Sequence, residues 1–136
     1  MQVKIGQTDV TQYVQEKSYN IDSVDDYIEW KDANRRTHRG GYSPKVMGSF
    51  EMVFIDGYTV TSGGQSSVVD HYGDFLTLLA NNMTDKVLTI SLTVNNLNNV
   101  LKTIQCYCDI TTKSVRYTKN GSNCIVKRMT INIKER

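Results

Sequence analysis

The sequence predicts a mainly β protein with one helix, folded as an antiparallel β-sandwich or a partly open barrel. Three observations predict it: alternating apolar and polar residues recur in runs along most of the chain, turn-forming residues separate those runs, and only residues 67–81 switch to a helical period. At 136 residues the chain has the length of a single domain able to bury a core without metals or crosslinks.

The elements follow in order. QVKI reads as a short strand, and GQTDVTQYV as a turn followed by a second short apolar segment. Strand character resumes in SYNIDSV and in DYIEW, where Tyr27 and Trp30 fall on opposite faces. The acids between them, Asp22, Asp25 and Asp26, lack the spacing of a calcium loop and read as a solvated turn. Residues 31–45, KDANRRTHRGGYSPK, have no periodicity of either kind and are expected to form a long loop. VMGSFEMVFID then places Phe50, Met52 and Phe54 on one face and Glu51, Val53 and Ile55 on the other, as in a central strand covered at least in part on both sides. GYTVTSGGQSS reads as a loop.

In SVVDHYGDFLTLLANN, Val68, Tyr72, Phe75, Leu76 and Leu79 form one helical stripe. Ser67 and Asp70 resemble a capping box, and Asn81-Asn82 supplies a stop. Gly73 should weaken this helix by up to about 1 kcal/mol relative to alanine. Three strands complete the chain. KVLTISLTVNN points Leu88, Ile90, Leu92 and Val94 inward and Thr89, Ser91 and Thr93 outward; VLKTIQCYCDITT puts Ile104, Cys106, Cys108 and Ile110 on one face; and after the turn KNGSN, Ile125, Met129, Ile131 and Ile133 face inward with Lys127 as the exception.

Chemistry is sparse. No nucleophile, zinc-protease or phosphate-loop motif occurs, so no catalytic and no cofactor-binding residues are expected, and no enzyme. Cys106 and Cys108 would point the same way from a strand. Zinc would need Cys124 and one of the two histidines, His38 or His71, to join them, so a buried, reduced, metal-free role is the stronger expectation. There is no apolar run that could serve as a signal peptide or span a bilayer, which suits synthesis in a reducing cytoplasm.

Charge singles out one segment. Residues 31–45 carry five of the sixteen Lys and Arg residues and one of the fourteen acids, which leaves eleven cations against thirteen acids elsewhere. A local basic feature on a near-neutral body suits either a protein partner's carboxylates or a small nucleic-acid or glycan contact using Trp30 and Tyr42 as stacking faces. A structureless loop this long in a compact domain usually has a task.

Two stretches carry a resemblance: Gly6, Asp9, Val10, Thr11 and Tyr13 in the first element, and Asn34, Arg36, Thr37, Gly40 and Lys45 in the basic segment. With the later order of helix, strand pair and final strand, they resemble small tail proteins of siphophages and prophages of gut Firmicutes. The chain departs from that pattern at GYTVTSGGQSS and at CYC. The resemblance implies a tail-tube or distal-tail fold, a β-sandwich or barrel flanked by one helix. It further implies a virion structural role without cofactors or membrane, in a homo-oligomeric ring, a hexamer being one form. The ring would contact other tail proteins, and nucleic acid only as lumen passage. On this reading Lys31, Arg35, Arg36, His38, Arg39, Tyr42 and Lys45 form the subunit interface.

Overall fold

The structure, a computed structural model, describes residues 1–119 and 122–136; the side chains of Asp26, Tyr27, Ile28, Tyr42, Tyr117, Lys119 and Ser122 fall outside the description. The chain runs β1 (Val3–Ile5), β2 (Thr8–Asp9), two 3-10 turns (Thr11–Tyr13 and Glu16–Ser18), β3 (Asn20–Lys31) and β4 (Thr37–Asp56). Then follow β5 (Thr59–Ser62), β6 (Gln65–Val68), α1 (His71–Asn81), β7 (Met83–Thr84), β8 (Val87–Val94), β9 (Val100–Lys119) and β10 (Ser122–Glu135). Every pairing is antiparallel. One eight-stranded sheet has the order β2-β1-β8-β9-β10-β4-β3 with β7 on β8, and β5-β6 stand apart as a second, two-stranded sheet. The fold is mainly β with a single helix among the described residues, as the sequence predicts.

The large sheet curls. Three strands separate β8 from β3 in its order, yet Asn95 N donates to Ile21 O at 2.9 Å, and the Asn96 amide bonds both backbone groups of Ser23. Among the described residues no ladder closes the gap, so the sheet wraps the core without becoming a closed barrel. Gly48 lets β3 and β4 approach closely where β3 begins. Its φ of 147° and the position of Asn20 O, where a Cβ would have to sit, admit no other residue.

Inside the curl the expected alternation holds: Phe50, Met52 and Phe54 of β4, Leu88, Ile90, Leu92 and Val94 of β8, and Met129, Ile131 and Ile133 of β10 are all buried. Lys127, on the same face, ends 4.1 Å from the centre of the Tyr72 ring, which gives its charge an aromatic partner. The outward side is less simple than alternation suggests. Ser91 and Thr93 are buried, hydrogen-bonded to Thr103 Oγ1 and to Gln2, while Ile55 is 46% exposed rather than covered.

The amino-terminal GQTDVTQYV closes one side of the core as a clasp. Asp9 Oδ1 accepts from Thr11 N, Thr11 Oγ1 accepts from Val3 N, and Tyr13 packs on Phe54 with ring centres 4.9 Å apart. Thus Asp9, Thr11 and Tyr13 each have a local structural partner.

The helix is shorter than its stripe implied. Ser67 and Val68 belong to β6, where Val68 is 67% exposed, and the N-cap is Asp70, whose Oδ1 accepts from Gly73 N at 3.0 Å. Asp56, a buried carboxylate at the end of β4, accepts two further first-turn amides, His71 N at 2.7 Å and Tyr72 N at 3.0 Å. Gly73 lies tight against the Asp70 carboxylate, so the residue that weakens the helix in propensity makes room for its cap. Phe75 and Leu79 are buried against the sheet, whereas Leu76 is 41% exposed.

Candidate functional site

The basic segment is strand rather than loop. β3 runs through Lys31 and β4 starts at Thr37, so only residues 32–36 are a turn. The acids Asp22, Asp25 and Asp26 likewise lie within β3 and not in a solvated turn. Periodicity failed here because both faces of the hairpin meet water. From Val24 to Lys45 no described side chain is buried, so no apolar alternation was required.

What holds this arm together is local. Asp32 organises the turn: its Oδ1 accepts from Asn34 N at 2.9 Å and Arg36 N at 3.0 Å, its carbonyl accepts from Arg35 N, and its Oδ2 lies 2.7 Å from His38 Nε2. The His38 contact, followed by the backbone donors, holds the Asp32 carboxyl below the usual carboxylate range. Arg35 takes the left-handed conformation at φ 60°. Behind the turn, Trp30 stacks on His38 with ring centres 5.6 Å apart and an interplanar angle of 20°, over Gly40, and Arg39 Nε meets Glu29 Oε2 at 3.4 Å across the strands.

The predicted interface residues therefore divide. Arg35 and Arg36 stand at the tip, where neither guanidinium has a partner among the described residues. His38 serves the stacked face, Lys31 and Arg39 belong to the other face, and Lys45 lies at the arm's base opposite Val24. The side chain of Tyr42 falls outside the described residues. One arm carries all of them, but they do not make one patch.

A second basic hairpin escaped the sequence reading. Between Ile110 and Lys134 the chain has no acid at all. In the structure this run covers the second half of β9 and most of β10, and in the half of β9 that lies beyond β8 Lys113, Val115 and Arg116 are exposed, Val115 to 62%. The register places this tip at the opposite end of the sheet from the β3–β4 tip, since β10 begins beside Asp56 and ends beside Met47, and β4 reaches the other tip only beyond Met47. An acid-free run was the available signal. It was missed because its cations are spaced among threonines and valines instead of clustered.

The thiols do not converge. Cys106 is buried and Cys108 half-buried, with Ile110 exposed beside them, while Cys124 pairs with Tyr117, about 30 Å farther along β9. Burial, then the neighbouring Cys108 and Glu135 charges, pushes Cys106 up to about 12; burial and Asp109 push Cys108 up to about 11. His71 lies between two phenols, Nδ1 at 3.2 Å from Tyr13 Oη and Nε2 at 3.4 Å from Tyr58 Oη. No group of three His, Cys, Asp or Glu residues among the described residues could hold a metal ion.

Compared with protein-family models, curated proteins and solved structures, the chain matches none.

Proposed function

We propose that this chain is a non-enzymatic structural component of a phage or prophage tail, of tube, distal-tail or baseplate type, which self-assembles into rings through the basic arm. The observation that carries the proposal is the arm itself. It is a hairpin fixed in shape by Asp32, Trp30 and His38, it buries none of its described side chains within its own subunit, and it ends in two arginines whose guanidinium groups have no partner among the described residues. A preorganised projection of this kind loses little entropy on docking, and guanidinium forks suit carboxylates at an interface. The antiparallel fold with one helix is compatible with the resemblance in the amino-terminal and arm motifs.

The test replaces Arg35 and Arg36 by serine. The variant should keep the parent's circular dichroism and lose assembly, followed by light scattering and negative-stain microscopy. A parent that stays monomeric, or a variant that assembles as the parent does, overturns the proposal. The alternative, a small accessory module contacting nucleic acid or glycan, draws on the 49% exposed Trp30 ring beside the arm's cations. A monomer that binds DNA in a salt-dependent way would select it.

A further inference from the structure

Among the described residues, two stretches of strand edge have nothing paired to them. β3 is the last strand of the large sheet, and beyond its contacts with Asn95 and Asn96 the side away from β4 is open from Val24 to Lys31. β9 is bordered by β8 only as far as the pair Val87↔Tyr107, so residues 108–119 have β10 on one side and no described strand on the other. Such edges offer rows of backbone donors and acceptors to any strand that approaches.

The two edges carry opposite charge. β3 holds Asp22, Asp25, Asp26 and Glu29 in its sequence against one lysine at its end, whereas β9 beyond Asp109 holds only cations. Asp25 lies on the open stretch of β3, with Asp22 just before it between the Asn95 and Asn96 contacts; Lys113 and Arg116 are three residues apart on opposite faces of β9. None of these four has a partner among the described residues. Next to the charges each edge exposes a valine, Val24 beside Asp25 and Val115 beside Arg116.

We propose that the acidic β3 edge of one copy docks on the basic outer edge of β9 in a second copy, extending the sheet from subunit to subunit. The inference rests on the self-assembly reading above and names its contact surface. Edge charges and the irregular register at Asp26/Ile28 also guard a sheet against indiscriminate pairing. Protection alone, however, needs charge of either sign on either edge. Segregating the signs does more: β3 repels β3, β9 repels β9, and only the unlike pair attracts. Because the two edges are different surfaces on opposite borders and toward opposite ends of the sheet, their contact is head-to-tail and generates a ring or a filament rather than a two-fold dimer.

A charge exchange tests the pairing. One variant carries Asp25→Lys and Asp26→Lys, both on the open stretch, the other Lys113→Glu and Arg116→Glu. Each alone then presents two edges of one sign and should assemble at least about tenfold more weakly than the parent by light scattering, with the parent's circular dichroism retained. Mixed in equal amounts they should assemble again, alternating along the ring or filament, a recovery that misfolded variants cannot give. If the parent assembles and either variant alone does so equally well, or if the folded variants fail to assemble when mixed, edge pairing is wrong while self-assembly stands. A monomeric parent overturns both. Should the parent retain a labelled double-stranded DNA oligonucleotide that the Lys113→Glu/Arg116→Glu variant releases, with assembly unchanged, the β9 cations serve a polyanion and the proposal fails.

Discussion

Single residues decide more here than their types suggest. Phe75 and Leu76 are neighbours on one helix and both satisfy the apolar stripe, yet Phe75 lies 5.2 Å from the Phe54 ring, centre to centre, while Leu76 faces largely outward. Replacing Phe75 by alanine should cost about 3–5 kcal/mol through lost burial and the cavity left behind, and Leu76→Ala about 0.5 kcal/mol or less, both from urea unfolding. The cysteines respond to pH in a definite sense. The Cys106 and Cys108 thiols are raised in the folded chain from an ordinary value of 9.0, so between about pH 9 and pH 12 the unfolded chain releases protons that the folded chain keeps. Their contribution to stability is intact below pH 9 and is lost as pH rises through that window. Thiol titration of the native protein at pH 8 should be slow, with half-buried Cys108 reacting ahead of Cys106, and denaturant should expose all three thiols at once.

At the scale of elements, the β3–β4 arm has no core of its own, so its order comes from the turn. Asp32 binds two backbone amides and His38 with one carboxylate. Asp32→Ala should leave the unfolding midpoint of the domain unchanged and release the arm: amide exchange should rise in residues 29–39 and nowhere else. Protection that persists there would show that strand pairing alone orders the tip. The helix illustrates the opposite dependence, because its start is fixed by a residue outside it. Asp56, from β4, takes the amides of His71 and Tyr72, and at Ser67 and Val68, where the stripe would begin the helix, the chain is still paired in β6.

The molecule as a whole has two unlike ends. The β3–β4 tip projects from one end of the sheet and the β9–β10 tip from the other, with the small β5–β6 sheet following β4 on the latter side. That polarity suits head-to-tail association. The β3–β4 arm adds no buried described side chain, so Arg35→Ser with Arg36→Ser should shift stability by about 0.5 kcal/mol or less while, on the proposed reading, assembly is lost. The same domain would then be built to fold alone and to associate through what folding leaves over.

By itself the sequence determined the fold class and the inner faces of the central strands, because a one-sided sheet must alternate, and the alternation of Phe50, Met52 and Phe54 or of Leu88 through Val94 is that requirement written in residues. It also marked the basic segment by charge. Only the tertiary structure decided that this segment is a hairpin, since strands wet on both faces need no periodicity, and that GYTVTSGGQSS is another, turning at Gly63 and Gly64. It alone decided where the helix begins and which of its apolar residues are covered. Above all it decided which strand borders which. The order of the sheet leaves the outer parts of β3 and β9 unpaired, and an open edge is a property of neighbours, which no single run of residues can display.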